Sequence, residues 1–279
     1  MGRYAQVVIG PAGCGKSTYC QALQAHCQAA GRACHVVNMD PAADNFGYEA
    51  ALDLRALVTV DDVMEAMELG PNGALMCAME FLEEHIPDWL APELEGFAED
   101  DYVVFDCPGQ IELYSHAPSF KAFIDHLRRT DWNVCAVFMI DSHFMTDAAK
   151  FIAGSMTALS AMVQLELPHV NVLTKLDMLE NKEDVEAYLD VDAKLLTHSL
   201  NRGMPRMYHR LNESVAQIVD EFSMVSYFPL DYSDEDSLRD LVLTIDNAIQ
   251  YGEDMDVKDT LKAYDDDEAG VPGMAGLAL

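Results

Sequence analysis

At 279 residues, half of them apolar, the chain has enough hydrophobic material for one large α/β domain or two small ones. Its 48 Asp and Glu against 17 Lys and Arg leave a formal net charge of −31. That charge argues against direct nucleic-acid binding and against docking on anionic membranes, because both need clustered cations.

The first apolar run, Gln6–Gly10, has strand length and leads into GPAGCGKST, Gly10 to Thr18. An amphipathic segment follows to about Ala30, so the order is strand, glycine loop, helix, the setting of a phosphate-binding P-loop. Gly13 and Gly15 allow positive φ, which lets backbone N–H groups, including that of Cys14, close around a phosphate chain at the positive end of the helix. Lys16 is placed to neutralise the β- and γ-phosphates. The Ser17 hydroxyl is placed to ligate Mg²⁺, with Thr18 beside it. The pattern implies a nucleoside triphosphate. Cys20 and Cys27 fall on the helix that follows and read, with Cys34, as small apolar residues. The seven cysteines form no C-x-x-C pair, which fits a reducing compartment.

A second strand, Cys34–Asn38, runs into Met39-Asp40-Pro41-Ala42-Ala43-Asp44. Asp40 faces the γ-phosphate side near Mg²⁺ and the attacking water, or caps the turn that follows; Asp44 is assigned no role. Residues 49–100 form an insertion that reads as mostly helical. Within it, Gly70-Pro71-Asn72-Gly73 reads in isolation as an ordinary turn. A third strand, Tyr102–Asp106, ends in Asp106-Cys107-Pro108-Gly109-Gln110. Asp106 is a Mg²⁺-holding carboxylate opposite the P-loop, Gly109 offers a backbone N–H to the γ-phosphate, and Gln110 matches a water-orienting glutamine. Glu112, two residues on, is a further acceptor or base for that water.

Strands follow at Val134–Asp141 and His169–Thr174, separated by a helix over Ala148–Leu165. The second ends in Thr174-Lys175-Leu176-Asp177, a variant of N-K-x-D with Thr in place of Asn. Asp177 accepts two hydrogen bonds from guanine's ring N–H and exocyclic amine, a pair adenine lacks, and the Lys175 stem covers the base. A helix at Tyr208–Phe222, a strand at Met224–Pro229 and a helix at Ser237–Gln250 complete the rhythm, with Phe228-Pro229-Leu230 as a further base-contacting loop. Residues 253–279 turn acidic and then Gly- and Ala-rich, which reads as a disordered, solubilising tail. The apolar N-terminal strand argues against a cleavable leader, and no apolar stretch is expected to span a membrane.

Strands alternating with helices predict an α/β fold: a P-loop NTPase with a mostly parallel sheet flanked by helices, its domain spanning residues 1–252. GPAGCGKST, NMDPAAD, GPNG, DCPGQIELYSH and TKLD, in that order, resemble the GPN-loop GTPases over about residues 3 to 252. The stretches MGRYAQVVIGPAGCGKSTYC, DDVME, ALSAM and AIQYGED are most similar to the third eukaryotic paralogue group of that family. The resemblance implies Mg²⁺-dependent hydrolysis of GTP to GDP in a dimer, with itself or with a paralogue. It implies that the loop Gly70, Pro71, Asn72 reaches into the partner's site, where Asn72 stabilises the transferring phosphoryl group. Related dimeric ATPases carry an early P-loop lysine where this chain has Pro11. The resemblance further implies RNA polymerase subunits as clients, assembly or nuclear import as the role, and a cytoplasmic location with passage into the nucleus. A nucleotide-gated scaffold, with hydrolysis slow or incidental, is the alternative of another class. A small-molecule kinase would need an arginine lid, for which only Arg202, Arg206 and Arg210 are candidates.

Overall fold

A computed structural model describes residues 2–98, 101–178, 193–202, 204–221 and 227–252. Seven strands form one sheet: β1 (Arg3–Ile9), β2 (Cys34–Asn38), β3 (Ala50–Asp53), β4 (Tyr102–Asp106), β5 (Trp132–Asp141), β6 (His169–Thr174) and β7 (Tyr227–Pro229). Their order is β3-β2-β4-β1-β5-β6-β7, and every pairing is parallel.

The apolar runs are continuous because both faces of the sheet are covered. Side chains alternate between two cores. On β1, Ala5, Val7 and Ile9 enter one core, while Tyr4 and Val8 enter the other; on β5, Ala136, Phe138 and Ile140 part from Cys135, Val137 and Met139 in the same way. The second core is closed by α1 (Lys16–Ala29), through Tyr19, Cys20, Leu23 and Cys27, and by the last helix, Glu235–Ala248, through Leu241, Val242 and Ile245. Cys20 and Cys27 are thus buried core residues, and all seven cysteines are free thiols.

Two expectations change. The insertion is mostly helical, as read, but it adds a strand the sequence did not show: Ala50–Asp53 is an edge strand parallel to β2. Four residues, none fully buried, give no run long enough to read as a strand. The rest is α2 (Val60–Met67), α3 (Pro71–His85) and a short α4 (Ala91–Glu95). Ala74, Met79, Leu82, Ile86 and Leu90 share a core with Val7 and Phe105, so the insertion is packed into the main body. Second, α7 (Ala148–Leu165) is long and apolar enough to cross a membrane by length and composition alone. Here it puts Phe151, Ala158 and Leu165 into the core, which accounts for its composition. The remaining helices are α5 (Ile111–Ser115), α6 (Pro118–Arg129), α8 (Ala193–Asn201), α9 (His209–Glu221) and α10 (Glu235–Ala248). The predicted tail from residue 253 and the first part of the predicted strand Met224–Pro229 lie outside the described residues.

Chain order reverses beside β1: the strands run outward to β3, return to β4, then cross to β5. Open α/β sheets bind ligands at such a switch point, outside the carboxyl ends of the strands. Register brings those ends level, with Asp106 opposite both Val8 and Asn38, and Thr174 opposite Asp141.

Candidate functional site

The P-loop joins β1 to α1 at this switch point. Gly13 and Gly15 take φ of +76° and +95°, as an N–H-lined phosphate loop requires. Lys16 is 8% exposed, and its ammonium donates to the carbonyls of Gly10 at 3.1 Å and Pro11 at 3.2 Å. Asp106, at the end of the neighbouring strand, is buried, and the Ser17 side chain lies close enough to favour its carboxylate form. Burial pushes the Asp106 carboxyl up, against the pull of Ser17, the Tyr48 hydroxyl and the Lys16 charge.

Of the two roles left open by the sequence, Asp40 takes the capping one. Its Oδ1 accepts from the Ala42 N–H at 2.9 Å, capping the turn, and it lies within electrostatic reach of Lys16 and Asp106. Burial pushes its carboxyl up, with the Ala42 N–H and Lys16 pulling the other way.

An oxygen donor set of one serine and two carboxylates suits a hard cation. Among the described residues, no group of three or more His, Cys, Asp or Glu is arranged as an all-protein metal site. Mg²⁺ does not ask for one, since it is held by one or two protein oxygens plus waters and phosphates. Ser17, Asp106 and Asp40 therefore fit this ion.

Gly109 crosses the P-loop so closely that a Cβ would stand 2.7 Å from the Ala12 Cα. Gln110 opens α5, and its Oε1 is buried without a described hydrogen-bond partner. The Glu112 side chain, in the first turn of α5, is exposed. The turn is fixed from below by the Tyr114 hydroxyl, which donates to the Pro108 carbonyl.

At the carboxyl end of β6, Thr174 is buried and its hydroxyl donates to the Cys14 carbonyl at 2.7 Å, with the Ile140 carbonyl 3.1 Å away. The threonine that breaks the N-K-x-D pattern thus ties its own loop to the P-loop. Thr174→Val keeps the shape and removes that tie; it is expected to cost about 1–2 kcal/mol of stability and to weaken nucleotide binding. Thermal unfolding and nucleotide titration of the variant check this, and unchanged values in both would refute it. Lys175 sits at φ +59°, its ammonium donates to Asp141 Oδ2 at 2.7 Å, and its carbonyl accepts from the Ser142 hydroxyl at 3.0 Å. Asp177 follows, exposed, in a 3₁₀ turn over Leu176–Met178.

Gly70, Pro71 and Asn72 are not brought to the P-loop of their own chain by any described contact. All three are exposed, with Gly70 capping α3 and Pro71 in its first turn. Just before them Met67 is 59% exposed and Leu69 38%.

Sequence reasoning missed four residues. Tyr48 donates its hydroxyl to Asp106 Oδ2 at 2.8 Å. Arg55 clasps the loop after β2 through the carbonyls of Ala43 and Asp44. Asp141 holds Lys175, and burial together with Cys20, Cys14 and Asp177 pushes the Tyr232 phenol up, so that Tyr232 is within electrostatic reach of Asp177. Only Asp141 carried a local signal, as an acidic residue ending a strand.

A protein-family profile described as a conserved hypothetical ATP binding protein matches residues 8–251. GPN-loop GTPase 3 of Dictyostelium discoideum is 48% identical, with 93% of this chain and 91% of that one covered. The proteins of the same name from Danio rerio and Saccharomyces cerevisiae are 46% and 42% identical; 93% and 96% of this chain, and 92% and 100% of theirs, are covered. A crystal structure described as a GTPase in apo form from Pyrococcus abyssi matches with a TM-score of 0.73 over 88% of this chain and 97% of that one. At 23% identity it bears on the fold alone. With relatives this similar along nearly its whole length, the chain belongs to the GPN-loop GTPase family.

Proposed function

We propose that the chain binds GTP with Mg²⁺ and hydrolyses it to GDP and phosphate. The observation that carries this is the convergence, at the carboxyl ends of parallel strands, of Lys16, Ser17 and Asp106 with the loop of Asp177, which Thr174 fastens to the P-loop carbonyl of Cys14. Lys16 exchanges the carbonyls of Gly10 and Pro11 for phosphate oxygens. Ser17 and Asp106, with Asp40 alongside, would hold Mg²⁺, which when bound would supply positive charge to offset the negative charge of the phosphates. Gln110 orients the attacking water, with Glu112 as a further acceptor. Asp177 selects guanine over adenine, which has no matching pair of donors.

The working unit is a dimer, of two copies or of this chain with a paralogue, in which Asn72 of each subunit serves the other's site. Two observations support it: Asn72 is exposed on a helix start that follows exposed Met67 and Leu69, and the chain's own site is served by no arginine in the described contacts. Assembly or import of RNA polymerase subunits, from the cytoplasm towards the nucleus, is the role the family resemblance suggests.

GTP turnover per molecule, measured against chain concentration, tests the reading. A rise with concentration is expected from a self-dimer. Flat, near-zero turnover with tight GTP binding assigns the second half of the site to a paralogue. Absence of GTP binding overturns the proposal.

A further inference from the structure

The loop between β2 and β3 is closed on itself by a set of contacts that the reaction as described does not use. Arg55 donates to the carbonyls of Ala43 at 2.8 Å and Asp44 at 3.1 Å, and holds both carboxylate oxygens of Asp53. Asp53 in turn accepts from the Asn38 amide at 2.8 Å, and the same amide reaches the Asp40 carbonyl at 3.2 Å. The Arg55 guanidinium stands 4.8 Å from the centre of the Phe46 ring. Phe46 stacks on Tyr48 at 4.5 Å, with 7° between the ring planes. This stack delivers the Tyr48 hydroxyl, on a side chain only 6% exposed, to Asp106 Oδ2 at 2.8 Å.

We infer that Tyr48 is a positioning residue for the Mg²⁺ site: its hydroxyl fixes the Asp106 carboxylate and thereby couples the metal to the loop that carries Asp40. The inference rests on the Mg²⁺–nucleotide reading above. Asp106 Oδ2 accepts from the Tyr48 hydroxyl, and Ser17 lies close to the same carboxylate. A carboxylate held in this way resists rotating away from a cation that demands near-octahedral geometry. Groups that hydrogen-bond a metal-supporting ligand typically change metal affinity by about 10- to 100-fold when removed. Tyr48 comes from a loop, whereas Ser17 and Asp106 come from α1 and β4. The bond therefore reports to the loop whether the metal-binding carboxylate is in place, and opening of the loop releases the carboxylate.

Tyr48→Phe removes the hydroxyl and keeps the ring stacked on Phe46. The test uses the full chain and a fluorescent GDP analogue, titrated in EDTA and at rising Mg²⁺. The expected result is an unchanged affinity in EDTA and an about tenfold rise in the Mg²⁺ concentration that half-maximally tightens nucleotide binding. Phe46→Leu leaves the hydroxyl and removes its stacking partner, so it should move the same midpoint in the same direction by less. Tyr48→Phe added to Asp106→Asn should shift it no further than Asp106→Asn alone. An unchanged Mg²⁺ midpoint in Tyr48→Phe, against a responsive wild type, overturns the inference. So does an equal loss of affinity in EDTA, which would make the bond part of the loop's fold and not of metal positioning. A wild type whose guanine-nucleotide affinity ignores Mg²⁺ overturns the Mg²⁺ assignment of Ser17, Asp106 and Asp40, and this inference with it.

Discussion

Asp177→Asn is expected to lower GTP affinity by about 100-fold while giving the chain a measurable affinity for xanthosine triphosphate. Guanine presents two donors to Asp177, the ring N–H and the exocyclic amine. The asparagine amide accepts from one and turns a donor toward the other. Losing one charge-assisted hydrogen bond costs about 1.5–3 kcal/mol, and the remaining donor-to-donor clash adds to it. Xanthine carries an oxygen where guanine has the amine, so the same asparagine satisfies it. The backbone around Asp177 should not move, because Lys175 is pinned to Asp141 at 2.7 Å and its carbonyl to Ser142, and Thr174 to Cys14. Competition of GTP, XTP and ATP against a fluorescent nucleotide gives the answer. If all three compete as they do in the wild type, Asp177 does not read the base, and the guanine assignment falls. The family profile's own wording, an ATP binding protein, makes that comparison worth running with ATP present.

What could be read from the sequence follows from which interactions are local. The P-loop is local: nine consecutive residues specify a strand exit, a glycine turn and a helix start, and the observed Lys16–Ala29 helix begins where the motif says. The long parallel strands were equally legible, because β4 and β5 are apolar on both faces and so stand out as runs. The ends were less so. β1 starts at Arg3 and β5 at Trp132, earlier than their apolar runs suggest, because pairing to a neighbour extends a strand beyond its most hydrophobic part. Edge strand β3 escaped because its one partner and half-exposed residues left it no pattern. Tyr48 escaped for another reason. It bonds a residue 58 positions away, and no spacing rule links a tyrosine in a polar loop to the end of a strand that sits next to its own only in the folded sheet. Thr174 taught the reverse lesson. It read as a departure from the asparagine motif, yet its hydroxyl reaches the P-loop carbonyl across 160 residues.

Asn72→Ala should lower the turnover number by about 100-fold and leave GTP affinity within about twofold. A preorganised donor aimed at charge that grows only in the transition state contributes to rate and not to ground-state binding; removing one such donor typically costs about 10²–10³ in kcat. The exposed position of Asn72, at the start of α3 and outside the described contacts of its own P-loop, means that truncation leaves no buried group unpaired. Stability should therefore stay within about 0.5 kcal/mol of wild type. The dimer proposal makes a sharper demand. Lys16→Ala destroys the phosphate site but keeps the Gly70-Pro71-Asn72 loop; Asn72→Ala keeps the phosphate site and loses the loop's amide. In a self-dimer each variant alone should be nearly inactive. An equal mixture should regain activity, because half of the re-assorted dimers pair an intact site with an intact Asn72, and each such dimer holds one complete centre. Turnover in the mixture, measured after subunit exchange and compared with the sum of the separate variants, decides the matter. Where the wild-type chain turns over alone, a mixture no more active than that sum would place Asn72 in service of its own chain or of none, and the exchange of Asn72 between two copies would fall.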